Sequence, residues 1–147
     1  MKCTFKEYKS SDYEFIYNLK KICYKKYVDE FFGGWNEEIQ RKMYEEFILE
    51  KRNDIRLLYV NDNLVGFVDG RNKDKNSYEQ GNICLLPEFR GKGIGSWYLN
   101  EVIKNHKNKD IYLRVFKSNP AQNLYKRFGF EIYDETKSHY LMVRKRT

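Results

Sequence analysis

Residues that crosslink a chain, bind metals or interrupt its backbone are scarce in this sequence. Its 147 residues include three cysteines, two histidines and two prolines. Cys3, Cys23 and Cys84 match no metal-ligand spacing, and an odd cysteine count without a secretory signal favours a reducing compartment. His106 and His139 lie far apart in sequence. We therefore expect a cytoplasmic protein with no disulfide framework and no metal site.

Long apolar runs are also absent. No segment approaches the roughly 18 apolar residues of a membrane span, and the first residues, Met1–Lys6, lack the apolar region of a signal peptide. The sequence has no internal repeat, low-complexity tract or linker. We therefore expect a single domain over residues 1–147 that has no membrane partner and buries about two-thirds of the surface of its unfolded chain.

Charge of one sign is in excess, with 28 Lys and Arg against 21 Asp and Glu and a net charge of +7. An excess of this kind suits nucleic acid or the phosphates of a nucleotide cofactor, or it reflects a composition rich in Lys, Asn and Tyr. The basic residues are scattered and no nucleic-acid motif is present, so we expect no nucleic-acid partner. The alternative, a nucleic-acid-binding domain, would show salt-sensitive binding.

Apolar spacing predicts a mixed α/β fold in the order β-α-α-β-β-β-α-β-α-β-β, with helices on both faces of the sheet. The first helix is predicted to end near Val28, and the second to begin at the cap Asn36 with an apolar stripe of Ile39, Met43, Phe47 and, as a further candidate, Ile48. The polar segment 71–76 is interpreted as a loop. The predicted strands cover 2–9, 55–60, 64–69, 78–86, 111–116, 130–133 and 140–143, and the later helices cover 93–105 and the residues after Asn119.

A glycine-rich turn joins the strand that ends at Pro87 to the helix that follows. Gly91, Gly93 and Gly95 alternate with other residues, a spacing that fits neither the P-loop nor the dinucleotide fingerprint. Such a turn leaves backbone N–H groups pointing outward at the positive end of a helix, which suits a phosphate. An ordinary strand-to-helix turn is the alternative.

Two motifs carry a resemblance to a known family. The pattern R-x-x-G-x-G, formed by Arg90, Gly93 and Gly95 after a strand ending in proline, resembles the pyrophosphate-binding signature of the GNAT superfamily of acyl-CoA-dependent N-acyltransferases. The segment Asn119–Phe130 is similar to its second landmark, N-x-x-A-x-x-L-Y-x-x-x-G-F, with the alanine shifted or replaced. Residues 31–38 and 138–142 resemble an uncharacterised bacterial subgroup, so the resemblance covers nearly the whole chain.

The resemblance implies the GNAT fold, with acetyl-CoA or coenzyme A as co-substrate and with no metal. Two parallel strands ending near Leu86 and Phe116 would splay apart. The main chain of residues 83–85 would bind the pantetheine arm, the amides of 90–95 the pyrophosphate, and Tyr125 would stand beside the sulfur. The implied cofactor-binding residues are Ile83, Cys84, Leu85, Arg90, Gly91, Lys92, Gly93, Ile94, Gly95, Ser96, Asn119 and Tyr125.

Transfer of an acetyl group to an amine needs an acid for the leaving thiolate and a base for the ammonium. Tyr125 is the candidate acid, since a phenol is protonated at neutral pH; alternatively it belongs to the core stripe of its helix. Glu79 is the candidate base, because histone-type GNAT enzymes are similar in carrying a glutamate eleven residues before the arginine; alternatively it is a solvated strand residue.

Asn82 could orient a water, and His139 is a second candidate base. Cys84 is either an acyl carrier or, as we expect, a small buried hydrophobe.

The stretch Phe31–Glu38 is the candidate acceptor site. Trp35 would supply an apolar wall, and Glu37 or Glu38 would attract a cationic amine; alternatively the two glutamates only complement a helix dipole. The expected substrate-binding residues are Trp35, Glu38, Asn82 and His139. The acceptor is expected to be a small-molecule or peptide amine and the protein an N-acetyltransferase, with a homodimer as a further expectation. The alternative is a non-catalytic CoA-binding regulatory module.

Overall fold

The computed structural model describes residues 1–147, and its elements follow the predicted order. The strands and helices are β1 (Cys3–Glu7), α1 (Tyr13–Phe32), α2 (Glu37–Lys51), β2 (Ile55–Val60), β3 (Asn63–Asp74), β4 (Ser77–Leu85), α3 (Ile94–Asn105), β5 (Asp110–Phe116), α4 (Ala121–Arg127), β6 (Glu131–Glu135) and β7 (His139–Arg144). Seven strands form one sheet in the order β1-β2-β3-β4-β5-β7-β6, in which β4 and β5 are parallel. The mixed α/β fold is therefore confirmed. None of the helices has the length and apolarity that crossing a membrane would require.

The chain divides into two compact units. The first consists of Met1–Asp69 with Asn82–Phe89, and the second of Gly70–Gly81 with Arg90–Thr147. In the first unit a buried cluster joins α1 and α2 to β2, β3 and β4, with Ile16, Leu19, Ile55, Leu57, Phe67 and Cys84 almost fully buried. In the second unit the buried residues include Leu99, Ile111, Phe130 and Met142. The single-domain expectation for residues 1–147 stays a prediction.

The apolar stripe predicted for α2 is confirmed at Ile48, which is buried, and at Phe47, which packs against the core, but it is wrong at Ile39 and Met43. Ile39 and Met43 are 56% and 57% exposed, whereas Tyr44 is buried. The Tyr44 ring packs at 5.2 Å from that of Tyr17, and its hydroxyl donates to the Tyr13 carbonyl at 2.6 Å. Because tyrosine combines a large apolar ring with a polar group that finds a partner, it replaces the smaller aliphatic side chains in the core.

Two predicted boundaries also change. Helix α1 continues past Val28 to Phe32 and ends where Gly33 takes a left-handed conformation with φ of 77°. Residues 71–74 continue β3 and are not a loop. The turn is confined to residues 75–76, where the amide of Asn76 donates to the Asp74 carboxylate at 2.8 Å. A solvent-facing strand needs no apolar residues, so the polar composition of 71–76 was misleading.

The second unit contains the predicted parallel β-α-β unit. Ser77–Glu79 of β4 are in parallel register with Asp110–Tyr112 of β5, and both strands extend beyond this short register. The parallel pairing predicted for these two strands is therefore confirmed over these three residue pairs.

Helix α4 has the predicted signals at both ends. The Asn119 side chain accepts a hydrogen bond from the Ala121 amide at 2.9 Å. At the other end Gly129 has φ of 90°, and the Phe130 amide donates to the Tyr125 carbonyl at 3.1 Å. These contacts form a glycine-terminated helix end that fixes the position of Tyr125.

The burial of Phe67 gives a stability prediction. Phe67 is fully buried in the first unit, so Phe67→Ala is expected to lower the free energy of unfolding by about 3–5 kcal/mol. The matched control Phe32→Ala removes a ring that is 61% exposed and should change it by less than about 0.5 kcal/mol. Equilibrium urea unfolding measures both, and equal losses would contradict the assignment of Phe67 to the core.

Candidate active site

The glycine-rich turn has the backbone geometry that its sequence predicts. Gly91 and Gly93 have φ of 72° and 83°, a left-handed conformation that other residues rarely adopt. Helix α3 then begins at Ile94, whose side chain is buried and anchors the start of the helix. A β-carbon added to Gly91 or Gly93 would meet no atom within 4 Å, so both glycines border open space.

The first amides of α3 are left without protein acceptors. Trp97 donates to the Gly93 carbonyl at 3.0 Å, but no backbone carbonyl accepts from Gly93, Ile94, Gly95 or Ser96, and no side chain caps this helix end. Four N–H groups therefore point outward where the helix dipole is positive. The exposed side chains of Arg90 and Lys92 add positive charge nearby. The turn therefore fits a bound phosphate or diphosphate group.

Helix α4 lies beside this turn. A β-carbon added to Gly95 would stand 3.7 Å from the Leu124 side chain, an ordinary van der Waals contact that places the start of α3 against α4. Tyr125, the next residue, is half-buried, and its ring meets that of Phe130 at 6.0 Å. The second unit therefore contains both the glycine-rich turn, which precedes α3, and the candidate acid Tyr125, which lies on α4. Asn119 uses its side-chain oxygen on the Ala121 amide.

The two candidate bases are not brought together. Glu79 pairs with Tyr112 of β5, and His139 pairs with Phe116 of the same strand. Four residues of extended strand separate those partners by about 13 Å. Glu79 and His139 therefore cannot share one proton directly.

His139 is held in its neutral form. Its ring packs against Phe116 at 4.1 Å, and Nδ1 lies 2.7 Å from the Ser138 hydroxyl. Burial and the nearby Arg114 guanidinium lower the pKa of His139 to about 4. A neutral imidazole can accept a proton, but such a low pKa makes it a weak base near neutrality.

In the first unit Asn82 is fixed by its neighbours. Its amide N–H and side-chain Nδ2 both donate to Asp69 Oδ2, at 2.8 and 2.7 Å, and its Oδ1 accepts from the Tyr24 hydroxyl at 2.8 Å. These bonds use one Nδ2 hydrogen and one lone pair of Oδ1 and fix the orientation of the amide, so the proposed role in orienting a water stays a prediction. Cys84 is completely buried, and burial raises the pKa of its thiol. A buried protonated thiol is a poor nucleophile, which favours a packing role for Cys84.

The candidate acceptor segment is organised around Glu37. This carboxylate forms an ion pair with Lys21, accepts from the Tyr17 hydroxyl at 2.6 Å and accepts from the Trp35 indole at 3.2 Å. The contacts with Lys21 and Tyr17 lower the pKa of Glu37, so it stays ionised. Glu38 is exposed, and the predicted cap is confirmed because the Asn36 side chain accepts from the Ile39 amide at 3.0 Å.

Sequence reasoning missed Asp69. Its side chain is 2% exposed, and it holds Asn82 directly before the β4 segment assigned to the cofactor. The signal that could have revealed it is an acidic residue at the end of an apolar strand run, since a buried carboxylate needs dedicated partners. No cluster of three or more His, Cys, Asp or Glu side chains is arranged to hold a metal ion.

Comparison with known proteins decides the family. The model of the acetyltransferase (GNAT) family matches residues 20–130. The chain belongs to the GNAT family. N-alpha-acetyltransferase 50 of Danio rerio is 37% identical over 111 residues, which cover 69% of this chain and 65% of that protein. The match thus spans slightly under two-thirds of that relative.

Solved structures show the same GNAT fold. The paia N-acetyltransferase from Thermoplasma acidophilum, in complex with coenzyme A, matches with a TM-score of 0.69 and 20% identity over 99% of both chains. Naa50 of Arabidopsis thaliana, in complex with the bisubstrate analogue CoA-Ac-MVNAL, matches with a TM-score of 0.67 and 23% identity, again over 99% of both chains. The predicted GNAT fold is therefore confirmed.

The environment of His139 predicts a pH effect. Because its folded-state pKa is about 4 and its ordinary value is 6.5, its contribution to stability is present above pH 6.5 and is lost as the pH falls toward 4. NMR titration of the imidazole should give a midpoint near 4. His139→Phe should flatten the loss of stability over this range in urea unfolding, and a midpoint near 6.5 would contradict the buried environment.

Proposed function

We propose that this GNAT protein is an acetyl-CoA-dependent N-acetyltransferase that passes the acetyl group directly to a primary amine. The observation that carries the proposal is the row of amides at Gly93–Ser96, which no protein carbonyl accepts from and which the positive end of α3 reinforces. A CoA diphosphate supplies the oxygen acceptors that such amides lack. Arg90 and Lys92 would add charge, and the Ser96 hydroxyl a further donor.

The proposed chemistry assigns one task to each group. The amine nitrogen forms a bond to the acetyl carbon while the bond from that carbon to sulfur breaks. The backbone amide of Leu85 is proposed to stabilise the negative charge that develops on the acetyl oxygen. Tyr125 donates a proton to the departing thiolate, and Glu79 removes one from the amine, directly or through a water.

A peptide α-amine is the acceptor class that we propose first. A relative is named an N-alpha-acetyltransferase, and a structural neighbour was solved with a CoA conjugate of the peptide MVNAL. In this chain Trp35 and the exposed Glu38 are the proposed acceptor contacts, since an aromatic face and a carboxylate suit a cationic amine. Glu37 is already engaged by Lys21 and Tyr17 and therefore serves to hold the segment in place. The cytoplasmic location and the homodimer stay predictions.

Binding and turnover separate the enzyme from a regulatory module. The wild-type chain should bind acetyl-CoA in calorimetry and release free thiol when peptide amines are added. Gly93→Val places a branched side chain in front of the amides and should weaken acetyl-CoA binding by about tenfold or more. Gly33→Val is the matched control, because Gly33 has a similar φ of 77° and also borders open space. Full binding by Gly93→Val would reject the phosphate site, and binding without thiol release over a broad amine panel would favour the regulatory module.

The role of Tyr125 gives a separate prediction. Tyr125→Phe keeps the ring that packs against Phe130 and removes only the hydroxyl. Turnover should fall by about a hundredfold or more, since general acid catalysis commonly contributes this much, while acetyl-CoA affinity stays nearly unchanged. Tyr133→Phe, which changes a tyrosine that is 53% exposed, serves as the control. Steady-state kinetics with unchanged turnover for Tyr125→Phe would remove the hydroxyl from the mechanism.

A further inference from the structure

Strand β3 holds the end of β4 at two places in the first unit. Toward the start of this segment, Asp69 accepts hydrogen bonds from both the amide and the side chain of Asn82, at 2.8 and 2.7 Å. At its end, the Leu86 amide donates to the Val65 carbonyl at 2.8 Å. Residues 83–85 therefore lie between two hydrogen bonds that fix the backbone at Asn82 and at Leu86.

Between these points β4 approaches β3 closely at Gly66, next to the place where the pairing of β2 with β3 shifts by one residue. A β-carbon added to Gly66 would lie 2.0 Å from the Cys84 carbonyl oxygen and 3.0 Å from the Leu85 α-carbon. The Cys84 carbonyl thus occupies the space of a β3 side chain, although carbonyls in a regular sheet lie between neighbouring strands. Only a glycine leaves room for this approach.

The orientation of the Cys84 carbonyl determines that of the next amide. In a planar trans peptide the C=O and N–H groups point in opposite directions. Because the Cys84 carbonyl points toward Gly66, the Leu85 N–H points away from it. This is the amide that the proposed function assigns to the acetyl oxygen.

Burial of the Asp69 carboxylate at this position is energetically unfavourable. It is 2% exposed, and its burial raises the pKa of the carboxyl despite the opposing bonds from Asn82. The Lys20 ammonium, itself largely withdrawn from water, interacts with Asp69 and partly offsets its charge. The Asn82 side chain also accepts a hydrogen bond from the Tyr24 hydroxyl. The Asp69 carboxylate and the Tyr24 hydroxyl together hold the start of this segment in one conformation.

We infer that Gly66 and Asp69 are positioning residues that set the Cys84–Leu85 peptide and thereby direct the Leu85 N–H toward the acetyl oxygen. The identity of the ligand rests on the proposed function, whereas the orientation of the peptide does not. Neither residue touches the reacting atoms. Gly66 acts by leaving space for the carbonyl, and Asp69 acts by holding the Asn82 amide.

Amide NMR spectra of the ligand-free chain test the geometry. Gly66→Ala should shift the Cys84 and Leu85 amide resonances, because its β-carbon forces the carbonyl away. Asp69→Ala should speed hydrogen exchange at Asn82, whereas Asp69→Asn keeps an oxygen acceptor of the same size and should restore slow exchange. Gly70→Ala is the control on β3, since its β-carbon would meet the end of the Tyr78 side chain and not the β4 backbone. Unchanged Leu85 resonances in folded Gly66→Ala, or unchanged Asn82 exchange in Asp69→Ala, would overturn the inference. If Gly66→Ala does not fold, hydrogen exchange in the two Asp69 variants decides whether the inference holds.

Kinetics test the consequence for the reaction. In folded Gly66→Ala, kcat should fall by about a hundredfold, the usual cost of losing one donor to a developing oxyanion, with a smaller change in KM for acetyl-CoA. Asp69→Ala should lower kcat in the same way, and Asp69→Asn should restore most of it. Wild-type kcat in Gly66→Ala with shifted Leu85 resonances would overturn the role in catalysis. Failure of the wild-type chain to bind acetyl-CoA would instead reject the proposed function, and the amide spectra would still decide the positioning.

Discussion

The proposed chemistry depends on hydrogen-bond donors that the fold leaves unsatisfied. The first turn of every α-helix has amides without intrahelical partners, and most proteins satisfy them with a side-chain cap or with water. Here the residue at the cap position is Gly93, which has no side chain to offer. Its left-handed φ turns the chain sharply into α3, and the buried side chain of Ile94 holds the helix in that position. The donors are thus rigidly placed before any ligand arrives, which reduces the entropy lost on binding.

A second set of constraints acts on β4. The parallel register with β5 is confined to Ser77–Glu79, so the later residues of β4 depend on β3 for their geometry. Val65, Gly66 and Asp69 supply that geometry through a backbone bond, a missing side chain and a buried carboxylate. A carboxylate in the interior reduces stability unless its bonds are fully formed. In the inference drawn above, this cost is offset by the positioning of the β4 backbone.

The order of elements and the glycine turn could be predicted from the sequence because both rest on local rules. Pro87 ends a strand, alternating glycines mark a turn, and Asn36 and Asn119 cap helices through contacts a few residues away. The errors came where distant contacts decide. Tyr44 is buried in the core, whereas Ile39 and Met43 are exposed, because Tyr13 and Tyr17 provide ring contacts and a carbonyl acceptor for Tyr44. The role of Asp69 was invisible because its partner Asn82 lies thirteen residues away on another strand.

The strand at one end of the sheet affects how copies of this chain can associate. All five residues of β6, Glu131–Glu135, are exposed, and three of them carry carboxylates. Two such strands placed side by side would bring like charges into opposition, which is unfavourable in a sheet. This border therefore resists edge-to-edge growth with other molecules of the same sequence, and it offers a lysine-rich or arginine-rich extended segment a more favourable match than a second copy of itself.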